Sequence, residues 1–137
     1  MWTIWNGEPM KKEEIRELEQ IAAAFAPSVE QIADGLYDHP EIKYEEFFAY
    51  KTYTDYLKRQ GMTVTEHAAD IATAFVASYK QGEKGPCIAL LAEYDALPNL
   101  GHGCGHNLLG AASLLAFETT VRYMKEKNIP GEILLRG

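Results

Sequence analysis

Residues 101–107 read Gly-His-Gly-Cys-Gly-His-Asn, placing His102, Cys104 and His106 at alternate positions with glycine between them. Thiolate sulfur and neutral imidazole are the strongest common ligands of borderline divalent ions such as zinc. In extended backbone, residues two apart point to the same side, so Cys104 and His106 can face one centre. Glycine at 103 and 105 lets the chain bend close to it. The spacing lacks the paired Cys-x-x-Cys of a structural zinc knuckle. Ten residues upstream, Leu-Leu-Ala-Glu-Tyr-Asp-Ala-Leu-Pro carries Glu93 and Asp95, again two apart, where an apolar strand ends. A carboxylate there can bind an ion directly or accept the free N–H of a ligating histidine and fix its tautomer. The rival chemistry is a cysteine nucleophile with a histidine base, for which His39 and His67 are the candidates elsewhere in the chain. Those two read more simply as turn or surface residues. Cys87, in an apolar run, reads as a buried thiol.

These groups must be positioned by regular structure. Ile15, Leu18, Ile21, Ala22 and Phe25 recur at helical spacing. Pro27 interrupts, and Ser28 with Gln31 suits a restart, which predicts helices over 11–25 and 28–37 or one kinked helix. His39-Pro40 ends this segment. Residues 45–60 form a second helix with Phe48, Tyr53 and Leu57 turned inward, closed by Gly61. Strands follow over 62–67, 71–79 and 86–94, the last two joined by a hairpin at Lys-Gln-Gly-Glu-Lys-Gly. The continuous apolar run of the 86–94 strand predicts cover on both faces, and ligands gather at the carboxyl end of such strands. A long apolar helix starts near Asn107; its N-terminus favours a Cys104 thiolate and can hold an anionic group. Lys125 and Lys127 suit its last turn. Residues 132–137 give one more buried strand. Helices alternate with strands after residue 86, so the class is α/β with a mixed sheet and flanking helices.

Composition sets the outer limits. The 137 residues fit one domain, with 47% hydrophobic and 24% charged residues, as in ordinary globular proteins. Thirteen basic against 20 acidic residues give a net charge of −7, which argues against nucleic acid or an anionic membrane as partner. Two cysteines are too few for a disulfide framework. The opening residues lack a basic, apolar signal pattern, and no apolar run is long enough to span a bilayer, so the expected location is the cytoplasm.

The Glu-Tyr-Asp-Ala-Leu-Pro strand end followed by Gly-His-Gly-Cys-Gly-His-Asn-Leu-Leu-Gly-Ala-Ala resembles the metal-dependent amidohydrolases and exopeptidases of the aminoacylase and glutamate-carboxypeptidase family. The branch is that of aminobenzoyl-glutamate hydrolase and indole-acetyl-amino-acid amidohydrolase. Leu-Tyr-Asp-His-Pro-Glu-Ile-Lys-Tyr-Glu-Glu-Phe-Phe-Ala is similar to that family's N-terminal helical segment. The resemblance runs from about residue 15 onward.

It implies a hydrolase with two divalent ions, zinc or manganese, acting on amide bonds of N-acyl or aminobenzoyl amino acids or dipeptides. Carried over by position, Cys104 and His106 become metal ligands, and Asp95 becomes the supporting acid that orients a ligand. His102 takes a supporting role. Glu93 stands where relatives of this branch often have aspartate and distant ones a ligand histidine; Asn107 stands where many have aspartate. The family's adjacent glutamates, one of them the general base, follow the strand that matches residues 132–137. They are expected outside this chain, as are the remaining ligands and the lid or dimerisation domain. Residues 1–137 are thus read as the N-terminal part of one catalytic domain, with 1–10 a loose leader. By itself such a truncated piece is expected to be inactive, and a homodimer is expected only with the further domain. The alternatives are a non-enzymatic metal-binding or regulatory module and a cysteine-dependent hydrolase.

Overall fold

A computed structural model describes residues 9–137; all but the last two positions of the expected leader lie outside the described residues. The first helix, α1 (Lys12–Asp38), is continuous through Pro27. Restart capping at Ser28 is therefore not used. The lone lost hydrogen bond falls on an exposed turn, where water can replace it. Its N-terminus is closed by Glu14 Oε2, which accepts from the Lys11 N–H at 2.8 Å. Burial concentrates in its second half, at Val29, Ile32, Ala33 and Leu36, while Ile15 remains exposed.

Helix α2 (Phe47–Arg59) follows a turn in which Glu41 caps it, its carboxylate accepting from Phe48 N–H at 2.9 Å and Ala49 N–H at 3.0 Å. Tyr53 and Leu57 are fully buried as expected. Phe48 is not: it lies at the rim, stacked on His39 with ring centroids 4.3 Å apart. Strands β1 (Thr63–Glu66), β2 (Phe75–Gln81) and β3 (Cys87–Leu91) precede α3 (His106–Lys127) and β4 (Gly131–Arg136). A left-handed Asn128 ends α3, with Lys125 and Lys127 in its last turn.

The four strands form one mixed sheet in the order β1-β2-β4-β3. Strand β4 pairs antiparallel with β2 and parallel with β3. The segment between β2 and β3 is therefore no hairpin: β4 lies between them. The glycines and charges of that loop signalled a turn correctly but not its partner strand. A second correction concerns β3. Being at the sheet edge, it leaves Ile88 56% and Leu91 61% exposed, and Cys87 is an exposed free thiol. An apolar run is compatible with a covered strand but does not supply the cover. The buried strand is β4, whose Ile133 and Leu135 face the helices. The core joins these to Phe75, Leu114, Phe117, Tyr53 and Leu57. No helix among the described residues is long and apolar enough to cross a membrane.

Candidate metal centre

The site forms where β3 runs out. Pairing continues one residue past the strand, with Ala92 N–H donating to Arg136 O at 2.7 Å. Tyr94 then turns inward, buried, and its hydroxyl donates to the Thr73 carbonyl. Because side chains alternate, Glu93 and Asp95 project to the other side. Ala96 N–H donates to Glu41 O at 2.6 Å, which ties the strand end to the turn before α2. The loop then closes through Leu97 N–H to Gly101 O at 2.9 Å and enters α3 through Gly105, whose φ of 80° favours glycine.

His106, the first residue of α3, meets both carboxylates. Its Nδ1 lies 2.6 Å from Asp95 Oδ1 and its Nε2 lies 3.0 Å from Glu93 Oε2. Asp95 and His106 are both largely shielded, whereas Glu93 is half exposed. The close approach of helix to strand is made by Gly110, one turn along α3. A Cβ there would stand 2.6 Å from the Glu93 carbonyl oxygen.

The remaining expected residues are placed less centrally. Cys104 is exposed on the same loop, its Sγ 4.0 Å from the Asp95 carbonyl oxygen. His102 is buried behind the loop, and its Nδ1 has no hydrogen-bond partner. Desolvation lowers its pKa from the usual histidine range, and the opposing contact with the Leu36 backbone is smaller. Asn107 is buried and donates to Ala33 O at 3.2 Å, so it binds α3 to α1. His39 and His67 use Nδ1 on local carbonyls, Gly35 O at 2.9 Å and Ala72 O at 2.8 Å, as turn residues do.

Imidazole, thiol and carboxylate in one loop-and-strand end are the donor types that zinc-like ions take. A nitrogen and an oxygen 3.0 Å apart, as at His106 and Glu93, have the spacing of two ligands bonded at about 2.0–2.2 Å to one ion. Among the described residues, no group of three or more His, Cys, Asp or Glu could hold an ion. The donors thus fit as a partial set. The pairing of Glu93 with His106 Nε2 is the contact that sequence spacing did not specify. Alternation placed both carboxylates on one side, but only the fold sets them on opposite nitrogens.

No family model matches the chain. The chain is 38% identical over 123 residues to a component of the p-aminobenzoyl-glutamate hydrolase of Escherichia coli, covering 77% of this chain and 25% of that protein. It is 29% identical over 143 residues to Xaa-Arg dipeptidase of Homo sapiens, covering 88% of this chain and 33% of the relative. Among solved structures, a dinuclear metal-binding peptidase of Bacillus subtilis matches with a TM-score of 0.69 at 23% identity, over 83% of this chain and 35% of the other. An aminobenzoyl-glutamate utilization protein from Klebsiella pneumoniae matches with a TM-score of 0.69 at 19% identity, over 88% of this chain and 38% of the other. The chain therefore spans about a quarter to a third of the length of these curated relatives. With the Asp95 strand end and the Cys104–His106 loop carried on this α/β frame, the chain belongs to the metal-dependent amidohydrolase and exopeptidase family and corresponds to a part of its members' length.

Proposed function

We propose that this chain is the metal-anchoring part of a hydrolase that cleaves amide bonds in N-acyl amino acids, aminobenzoyl amino acids or dipeptides. The carrying observation is the imidazole of His106 set between Asp95 and Glu93 at the end of β3. In this reading Cys104 and His106 hold a divalent ion, zinc or manganese, one of two in the whole enzyme. Asp95 accepts the Nδ1 proton of His106, so that Nε2 keeps its lone pair for the ion. Glu93 supplies an oxygen beside that nitrogen, and buried His102 supports the loop from behind. A bound divalent ion supplies Lewis acidity, lowering the pKa of water toward about 7 and polarising a carbonyl. The general base is a glutamate outside these 137 residues, as are the remaining ligands.

The 137 residues are then the N-terminal part of one catalytic domain, inactive alone and located in the cytoplasm, with any homodimer formed through a further domain. Substrate is a small amide or dipeptide, and the net charge of −7 fits neither nucleic acid nor an anionic membrane as partner. The metal reading is favoured over a cysteine nucleophile by the contacts of Cys104 and His106. The one polar contact of Cys104 Sγ among the described residues is a carbonyl, and both ring nitrogens of His106 face carboxylates.

Metal content by elemental analysis, on wild type and on Cys104→Ser, tests the reading. Zinc or manganese retained by the wild type and lost in the variant supports it. Equal content in both would overturn the assignment of Cys104, and amide hydrolysis by the 137-residue protein that survives a chelator would overturn the metal chemistry.

A further inference from the structure

Glu118 sits in α3 at a position that helical period gives to the core. Leu114, Phe117, Val121 and Met124 on the same stripe are buried, and Glu118 is 2% exposed. Its Oε1 has no hydrogen-bond partner, nor does the buried hydroxyl of Tyr56 on α2. A cavity of about 140 Å³ opens beside it, lined by Phe25, Gln60, Met62, Glu118, Arg122 and Lys125. From α1 the lining is apolar. From the end of α2 comes Gln60, and Tyr56, which does not line the cavity, feels the charges of Glu118 and Arg59. From α3 come two cations, both engaged elsewhere. Arg122 Nε donates to Glu126 Oε1 at 2.6 Å, and Lys125 Nζ lies 4.9 Å from the centre of the Tyr79 ring.

Arg122 stands four residues after Glu118 and four before Glu126, and both spacings make neighbours on a helix. We propose that these three residues form a proton-controlled latch. While Glu118 is neutral, Arg122 stays on Glu126; when Glu118 releases its proton to solvent, Arg122 leaves Glu126, turns into the cavity and pairs with Glu118. The seam between α3 and α2 then opens enough to admit the guanidinium. An unpaired carboxylate in that cavity would otherwise carry the full cost of desolvation. Burial pushes the Glu118 pKa up to about 7, with Lys125 opposing. A folded-state value above the unfolded one means that this stability is complete below the ordinary carboxylate range and is lost as pH rises through about 7.

The test is urea unfolding between about pH 5 and about pH 9 on wild type and Glu118→Gln, with carboxyl-carbon and Arg Nε NMR titrations of the wild type. Over that range the wild-type folding equilibrium constant should fall relative to the variant, by less than the roughly hundredfold that a Glu118 pKa of about 7 without Arg122 would give. The Arg122 Nε signal should move with the same midpoint as the Glu118 carboxyl. Equal pH dependence in wild type and variant would overturn the latch. So would a Glu118 carboxyl that titrates with ordinary carboxylates, or an Arg122 signal that ignores it. Should Glu118→Gln fail to fold, the wild-type titration decides alone.

Discussion

Asp95 Oδ1 lies 2.6 Å from His106 Nδ1, and in the proposed reading it accepts that proton and leaves Nε2 for the ion. A carboxylate in that role orients the ring and raises the basicity of the opposite nitrogen. Asp95→Ala should weaken zinc or cobalt binding by about 10–100-fold, and Asp95→Asn by less, with the helical content unchanged. Calorimetric titration with the metal alone measures this, and unchanged affinity in both variants would remove Asp95 from the site.

Cys104 is exposed beside the Asp95 carbonyl, so its thiol is accessible to an incoming ion without unfolding the loop. Cobalt-loaded wild type should show a thiolate-to-metal charge-transfer band in the near ultraviolet. Cys104→Ser should lose that band while keeping the folded circular dichroism spectrum. A band that persists in the variant would point to Cys87, the other free thiol.

The site was more legible in the sequence than the sheet was. Alternation along extended chain is a local rule, and it placed Glu93 with Asp95 on one side from spacing alone. It does not relate Cys104 to His106, because the chain turns before α3 and His106 is already helical. Strand order is non-local. The run from Cys87 to Leu91 looks like an interior strand because its residues are apolar, yet pairing with β4 on one side only leaves it at the edge. The turn-rich loop after β2 likewise resembled a hairpin, since local turn chemistry does not record that a later strand inserts between its neighbours. Glu118 escaped for the opposite reason. The spacing from Leu114 to Val121 marks a buried stripe, but a charged side chain reads as the solvent side until burial is seen.

Pro27 gives α1 no N–H for the Ala23 carbonyl, and its ring is exposed, so it contributes no packing to offset the lost bond. Pro27→Ala should restore the bond and raise stability by about 1–2 kcal/mol, after the entropy that alanine returns to the unfolded chain. Chemical denaturation measures it. A loss of stability would show that the proline sets a bend on which the α1–α3 packing depends.

Burial also governs the tyrosines. It pushes Tyr50 and Tyr56 up to about 12, with Glu66 adding to the effect at Tyr50, and lifts Tyr53 and Tyr94 further. These four of the eight tyrosines should therefore contribute at most about a tenth of their full phenolate absorbance each to the folded protein at about pH 11, and most of it once urea unfolds the chain. Since the folded values are raised, the stability linked to them is complete below about pH 10 and is lost as pH rises through about 12. Full phenolate absorbance at about pH 11 in the still-folded protein would contradict the burial of these rings.

Gly110 joins fold to site, because α3 approaches the β3 strand end only where no side chain intervenes. An added Cβ would meet Glu93 O at 2.6 Å and Tyr53 Oη at 2.6 Å. Alanine gains about 1 kcal/mol in helix propensity, while overpacking against rigid backbone costs about 1–3 kcal/mol. The carbonyl belongs to a strand end pinned by Ala92 and Ala96, so the helix must shift and the loss should prevail. Gly110→Ala is therefore expected to lower the urea midpoint and, by displacing Glu93 from His106 Nε2, to weaken metal binding as well. Gly103→Ala is the comparison, since the three atoms nearest its Cβ all belong to the Leu100 side chain, the first at 2.8 Å, rather than to backbone. If Gly110→Ala stabilised the protein without changing metal affinity, the contact between α3 and the Glu93 strand end would not be what holds His106 against the two carboxylates.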